Sequence, residues 1–490
     1  MNTIKIIISA LLCLFVSAVF SQNMEIDGLM FGTNNNEGSA RYIAVGGAMS
    51  AIGGDITSLS YNPAGIALYK SSVIVLTPSV EINKSNTVFG ESSKQQVNSN
   101  FNFSNVGAIF SVKNKKFGIV ENFNFGFAMN TLNSFSQKDR INHKTTNSIS
   151  QQWLNEAISV NGNEDKEFSY NDFSFETVGA YYAWLVNFDS LASAYTTPIT
   201  ESVQQNSITI KEGSKRDFAL SFGTNLKNKI YIGTSLSVPY ISYTSSTSFS
   251  EKDYANLNGG FQSFNMTQTY ENTGLGINLK VGVIYKPVNF LRLSAAIQTP
   301  THFSLEEKYT TDFTSEFDTV SHESTSDLGS FSYKLITPWR ANAGLAFVSK
   351  KFGFLSFDYE LVDYASTRFD LADEYIDLGS SLNDNVKNKY QIAHNIKVGV
   401  ESKIKQFRLR AGYAMQTSPL KASYREATYD FSRYQFSGGI GYLWKRISID
   451  ASYRYTMSKQ YELSFDGVNG VTKDVDTQLL SVTVGFKLSK

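Results

Sequence analysis

The chain has one cysteine in 490 residues, Cys13, and it lies within the first twenty positions. Downstream of it no disulfide can form and no thiolate chemistry is available. Prolines are scarce, at 8. After residue 20 no stretch approaches ~20 consecutive apolar residues, which excludes a transmembrane helix there. Neither sign of charge dominates, since 44 Lys and Arg balance 44 Asp and Glu. That balance gives no support for a nucleic-acid partner. Catalytic signatures are missing too, with no Gly-x-Ser-x-Gly and no phosphate loop. His143, His302, His322 and His394 are scattered, mostly in segments read as loops, without metal-ligand spacing. Ser321-His322-Glu323 is a chance adjacency, because a triad needs groups converging from separate places. The expectation is a protein that is not an enzyme and uses no cofactor and no metal. Haem on two of the histidines, and Ca²⁺ on the acidic run Asp370, Asp373, Glu374 and Asp377, are weaker readings than solvated side chains.

What is present begins with an export signal over residues 1–21. Lys5 supplies the positive start, Ile6 to Phe20 form an uncharged apolar core, and Val19-Phe20-Ser21 places cleavage after Ser21. Leu12 before Cys13 is not the small residue of a lipoprotein signal. The signal implies export; together with the strand pattern below, the expected location is the cell outer membrane, reached through a cleaved signal. The composition of the chain is β-rich, with 27 Tyr and 36 Phe.

From about residue 70 onward, apolar and polar residues alternate. Phe407, Leu409, Ala411, Tyr413 and Met415 bracket Arg408, Arg410 and Gly412. Ile447, Ile449, Ala451, Tyr453 and Tyr455 alternate with Ser448, Asp450, Ser452 and Arg454. Leu480 to Leu488 repeat the pattern. Period two marks strands with one apolar face. Fourteen strands are predicted, at 70–82, 101–113, 117–133, 215–227, 229–249, 266–286, 290–308, 329–349, 352–369, 389–403, 406–420, 431–444, 446–463 and 475–489. The gaps between them alternate. The short ones are 114–116, 228, 287–289, 350–351, 404–405 and 445. The long ones are 83–100, 134–214, 250–265, 309–328, 370–388, 421–430 and 464–474. Short turns at one end, long loops at the other and an even strand number are the signature of a transmembrane β-barrel. A soluble β-sandwich matches the alternation but leaves this rhythm unexplained. The predicted fold class is all-β, a fourteen-stranded antiparallel transmembrane β-barrel over 70–490, with 22–69 as an N-terminal hatch and 134–214 as its longest outer loop. Within that loop, Phe175 to Tyr195 is apolar enough for a short helix or a cap over the barrel mouth.

Aromatics flank the proposed lipid band. Trp339, Trp444, Tyr442, Tyr285 and Phe486 are expected near the short turns, and Tyr240, Tyr243, Tyr455 and Phe303 toward the long loops. The inward phase carries Arg292, Asp358, Glu360, Arg408, Arg410, Asp450 and Arg454 as possible lumen charges. On the lipid face an Arg would cost ~2–4 kcal/mol at the midplane. Structural pairing is the expected role of these groups, with a ligand carboxylate as the alternative for an Arg. In the third strand, Asn124, Gly126 and Asn130 mark where a bulge or wall gap would be sought.

Arg41 to Ile66 is a small-residue segment containing Gly46, Gly47, Gly53, Gly54 and Gly65. Its punctuation Asn62-Pro63-Ala64-Gly65 stands directly before the first strand. It is too glycine-rich for a surface helix and too apolar for a loop, so it reads as a compact plug. With Gly282-Val283-Ile284-Tyr285-Lys286-Pro287, Thr337-Pro338-Trp339-Arg340 and Leu409-Arg410-Ala411-Gly412-Tyr413 with Ser418-Pro419, the chain resembles the FadL/TodX family of outer-membrane transporters for hydrophobic compounds. The resemblance implies a barrel closed by an N-terminal hatch. It also implies apolar ligands such as long-chain fatty acids, taken in from outside and released sideways through a wall gap. The partners it implies are a hydrophobic small molecule and outer-membrane lipid. Some relatives serve protein secretion or attachment, so a secretion-system protein is the alternative partner. The Phe486-Lys487-Leu488-Ser489-Lys490 terminus departs from the aromatic ending usual in such barrels.

Overall fold

The computed structural model describes residues 24–89, 92–114, 118–162, 164–425, 431–463 and 470–488. The expected export signal and its cleavage point lie outside the described residues, as does most of the two last outer loops.

One closed antiparallel sheet forms the molecule. Its nineteen ladder segments make fourteen wall strands, because four strands continue after a break and one short piece, Ser321–Thr325, pairs at the outer rim. The wall strands are β1 (Val73–Phe89), β2 (Ser92–Lys113), β3 (Val120–Ser134, continued by Gln137–Thr145), β4 (Val203–Leu226) and β5 (Ile230–Lys252). They continue with β6 (Phe261–Val288), β7 (Leu291–Gln298, continued by His302–Phe317), β8 (Gly329–Ile336, continued by Arg340–Ser349) and β9 (Gly353–Asp363, continued by Arg368–Asp370). The last five are β10 (Ile392–Ile404), β11 (Phe407–Gln416), β12 (Arg433–Trp444), β13 (Ile447–Leu463) and β14 (Gly470–Lys487). β1 pairs with β14 from Val73↔Lys487 to Val88↔Thr472, which closes the barrel and leaves no free edge along these strands.

All fourteen expected strands are present. The turn residues Lys227, Asn228, Lys405 and Lys445 have positive φ, the twist that tight hairpins demand. Along β5, Ile232, Leu236 and Val238 face outward while Tyr231, Ser235 and Ser237 are buried.

Several loop expectations are corrected. Segment 83–100 is ladder for nearly its whole length, with Glu81↔Asn100 through Phe89↔Ser92 paired. Its Asn, Ser, Gln and Lys residues hide the alternation because above the lipid both faces are polar. The ends of segment 134–214 are also strand, as Gln137–Thr145 pairs with the start of β4. Its middle forms two helices, Ser150–Asn161 and Phe175–Tyr182, and a small hairpin, Asn187–Asp189 with Ala194–Thr196. Ser174 caps the second helix, accepting from Thr177 N, while Glu156 accepts from Ser174 N at 2.8 Å and Ser174 Oγ at 2.7 Å. These helices bury Trp153, Ala157, Val178 and Ala180 against Phe249, Phe264 and Phe313 of the strand extensions, forming a lid with its own apolar core. Most of segment 370–388 is a helix, Ile376–Lys389.

The four histidines lie in strands rather than loops. His322 stacks on Trp184 at 4.4 Å, and His394 Nδ1 lies 2.6 Å from Tyr359 Oη. Trp339 stands in the break of β8, far from a short turn. Tyr243 and Phe303 are only 4% and 2% exposed and point into the lumen. Period two fixes the face but not the height at which a strand leaves the bilayer. Trp444, Tyr442, Tyr285 and Phe486 are exposed beside the short turns.

Candidate functional site: the plugged lumen

Residues 24–69 fill the barrel. A helix over 24–32 occupies the outer half of the lumen; Ala40–Ala44, Ser58–Tyr61 and the 3₁₀ turn Pro63–Leu68 occupy the inner half. The Asn-Pro-Ala-Gly punctuation has a local cause. The Asn62 side chain accepts from Ala64 N at 3.2 Å and donates to Ser50 O at 3.0 Å. Pro63 starts the turn, where its missing N–H costs nothing. Gly54 N bonds Gly65 O at 2.9 Å, and a Cβ on Gly65 would strike Ser58. Gly46, Gly47, Gly53 and Gly54 all have positive φ, from 55° to 78°, so each turn needs glycine.

The hatch lies directly on the wall. Side chains added at Gly233 and Gly282 would meet Pro63 and Asn62, and at Gly399, Gly412 and Gly439 they would meet Val45, Gly46 and Ala44, all below 3.0 Å. These five wall glycines sit on five different strands; Gly282 and Gly412 stand in the family-like motifs, while Gly233, Gly399 and Gly439 were not singled out from sequence. Each falls in the inward phase of its strand, and that was the available signal.

Most of the lumen charges named from sequence hold the hatch or one another. Arg292 Nη1 donates to Ile52 O at 2.5 Å, and Asp358 accepts from Ser50 N at 2.7 Å. Glu360 lies 3.2 Å from both Arg340 and Lys397. Arg410 bridges Glu401 at 2.7 Å and Asp450 at 2.6 Å. Arg454 donates to Asn36 O at 2.8 Å and lies 3.8 Å from Glu37. Arg408 instead donates to Lys405 O and Phe407 O of its own turn. Arg340, Lys397, Glu401 and Glu37 complete these networks and were missed, because alternation assigns a face without assigning a partner. A cavity of 280 Å³ lies between hatch and wall on the short-turn side, lined by Arg41, Asp55, Arg408 and Asp450 among others.

The outer half of the lumen is apolar. Met24 and Phe31 of the 24–32 helix pack with Phe135, Ile241, Phe303 and Leu335. One polar cluster interrupts them. Tyr270 Oη donates to Asp27 and lies 3.2 Å from Glu307, while Asn272 donates to Tyr270 and Tyr333. Burial pushes the Asp27 carboxyl up to about 7, against the opposing pull of Tyr270 and Lys211.

Between β2 and β3 the wall is incomplete. Their ladder runs from Lys113↔Asn122 to Asn105↔Asn130 and stops. Beyond it, among the described residues, β2 pairs only with β1, and Gln137–Thr145 only with β4. Side chains bridge the seam: Thr131 Oγ1 donates to Phe103 O at 2.9 Å, and Asn98 Nδ2 to Ser136 Oγ at 2.9 Å. The register shifts at Thr131/Asn133, not at Asn124 or Gly126. Asn124 and Asn130 hold the hatch, donating to Ile66 O at 2.5 Å and Ser60 Oγ at 2.6 Å.

Residues 192–487 match the family described as Outer membrane protein transport protein (OMPP1/FadL/TodX). The chain belongs to this family. Among solved structures, a FadL homologue of Pseudomonas aeruginosa has the same fold, with TM-score 0.56 and 13% identity over 93% of this chain and 99% of that one. The toluene transporter TodX of Pseudomonas putida gives 0.53 and 11% over the same shares. The toluene transporter TbuX of Ralstonia pickettii gives 0.51 and 13%, over 93% and 100%. No curated protein sequence matches the chain. These structural likenesses show the same fold over most of the chain, beyond the residues that the family match covers.

Proposed function

We propose that this FadL/TodX barrel takes up hydrophobic compounds through the outer membrane after export by a signal cleaved behind Ser21. Residues 22–69 act as the hatch, with Gly46, Gly47, Gly53, Gly54 and Asn62 to Gly65 as its structural motif. The observation that carries the reading is an apolar outer lumen under a lid, filled by the 24–32 helix and closed below by a hatch seated on glycines. A water-filled pore would not help molecules that avoid water; an apolar lumen does. The β2–β3 seam is the exit, because lipid-facing Phe101 and Phe127, 62% and 53% exposed, flank it. Long-chain fatty acids and monoaromatic hydrocarbons are both candidate ligands, and the likeness to two toluene transporters supports the aromatic class.

The test is solvent extraction of purified folded protein followed by mass spectrometry, paired with uptake of labelled toluene and palmitate by cells with and without the barrel. Near-stoichiometric hydrocarbon or acyl ligand, and barrel-dependent uptake, support transport. Loss of neither probe from the medium sinks it. A second reading, a binding role for a secretion-system protein, rests on the exposed lid residues Leu191, Trp184 and Tyr182, which are 98%, 55% and 45% exposed. Stable co-purification of a protein partner from an otherwise empty barrel would favour it.

A further inference from the structure

The chain is neutral as a whole, with 44 Lys and Arg against 44 Asp and Glu, but its charge is unevenly spread. Five short turns of the wall are described throughout, at 227–229, 289–290, 350–352, 405–406 and 445–446. They carry Lys227 and Lys229, Lys350 and Lys351, Lys405, and Lys445 with Arg446, all exposed, and no Asp or Glu. Short turns face the periplasm in such barrels. A mouth rimmed by one sign of charge focuses its field inward and draws the opposite sign toward the middle.

The 280 Å³ cavity between hatch and wall lies at this end. Gly441 of β12 and Gly485 of β14 take inward positions there, so the wall leaves room below the hatch. One side of the cavity is apolar, formed by Ile56 of the hatch and Val73 and Val75 of β1, all buried. The other side is charged, and four cations meet three acids in the lining. The acids are satisfied by the protein itself. Asp450 and Glu401 lie 2.6 and 2.7 Å from Arg410, and Asp55 accepts from Ser39 Oγ at 2.7 Å and Thr57 N at 3.0 Å. Arg41 of the hatch lies 3.6 Å from Glu401 and donates to Gly54 O at 2.9 Å. Two cations lack a carboxylate of their own. Arg408 donates to Lys405 O and Phe407 O, and Lys487 has no side-chain partner among the described residues.

The geometry points to a binding site below the hatch for a small amphipathic carboxylate. Its apolar body lies against Ile56, Val73 and Val75, and its carboxylate faces Arg408 and Lys487. A guanidinium holds a carboxylate by charge-assisted hydrogen bonds, and Arg408 exchanges only neutral carbonyls to make them. The volume suits a ring or a short chain. An apolar cavity of about 150 Å³ accommodates benzene, and this one is larger and partly charged. Ile56 and Arg41 belong to the hatch and the two free cations to the wall, so an occupant bridges hatch and wall. The site goes beyond the uptake reading and stands or falls without it.

The probe is benzoate, which is charged, soluble and matched to the cavity in size. Binding of labelled benzoate to the purified folded protein is measured by equilibrium dialysis, with benzyl alcohol and inorganic phosphate as competitors at equal concentration. The expected result is saturable binding at one site per barrel, weakened about tenfold in Arg408→Gln and in Lys487→Gln. Neither competitor should displace it, because benzyl alcohol lacks the charge and phosphate lacks the apolar body. On adding benzoate, hydrogen exchange should slow across 39–56 and stay unchanged across 24–32. Absence of saturable binding, or equal affinity in wild type and both variants, overturns the site. Slowing confined to 24–32 overturns it too, since benzoate would then sit in the outer lumen. Displacement by phosphate reduces the cavity to a cationic surface, and displacement by benzyl alcohol means that the carboxylate is not recognised; either result overturns the amphipathic site. Lys487 is exposed at a strand end, so Lys487→Gln decides the matter even where Arg408→Gln fails to fold.

Discussion

The two gaps in this wall are closed by different chemistry. Between β2 and β3 the closure is polar: Asn98, Thr131 and Ser136 reach across and replace ladder bonds one at a time. Between β9 and β10, where Arg368–Asp370 has a ladder only with β8 among the described residues, the closure is the helix Ile376–Lys389, which presents Leu382 and Val386 inward and the Asn383 carboxamide to the strand edge. In water the second would be the stronger, since a buried apolar side chain contributes ~1.5–3 kcal/mol and a hydrogen bond ~0.5–1.5 kcal/mol net. The helix leaves Asp377, Ser380, Asp384 and Lys387 exposed on its outer side, so its apolar seat faces only the lumen. The comparison teaches that one wall can be closed by single side-chain bonds at one gap and by an apolar seat under a polar outer face at another.

Breaking the apolar closure in detergent solution should have the largest effect. Leu382→Ala removes a fully buried side chain, and ~2–5 kcal/mol of local stability should go with it. Hydrogen exchange should rise across 376–389 and stay unchanged across 98–104; exchange rising equally at both gaps would mean that they are not independent closures. Asn383→Ala comes next. It leaves the Phe369 N–H and C=O without their partner, at ~1–3 kcal/mol, and should expose the same helix without disturbing its apolar seat. Asn98→Ala should cost about 1 kcal/mol, read as faster exchange near 98–104 and 134–137 only. The smallest effect should be a pH drift at the hatch helix. Asp27 faces Tyr270, Glu307 and Lys211, and its folded pKa is raised from 3.8 to about 7. The folded state therefore holds the proton more tightly, and the stability tied to it is full below about 4 and lost as pH rises through about 7. Protection across 24–32, taken relative to the intrinsic exchange rate at each pH, should fall from pH 5 to pH 8 in the wild type and stay flat in Asp27→Asn.

How far the sequence could be read follows from which forces act locally. Phe407 to Met415 disclosed its strand and its faces, because lipid on one side and polar lumen on the other impose period two on neighbouring residues. Asn62 to Gly65 disclosed a tight turn, because cap, proline and glycine act within four positions. Segment 83–100 misled, since above the lipid neither face has to be apolar. Tyr243 and Phe303 were placed at the girdle because aromatic side chains suit both an interface and an apolar chamber. Pro300, Pro338 and Pro419 were each visible, yet the first two fell inside the predicted strands 290–308 and 329–349, which they break. Their alignment at one level of the wall depends on register between strands, which no single segment carries. The same holds for Gly399, Gly412 and Gly439, which are unremarkable until Val45, Gly46 and Ala44 rest on them.

That contact of hatch on wall glycines also orders the assembly of the molecule. Residues 44–46 meet their seats only at 399, 412 and 439, more than 350 positions later in the chain. The segment synthesised early must wait for strands made near the end, and pairings so distant in sequence form slowly. A hatch seated on strands so distant in sequence ties its final packing to a nearly complete wall.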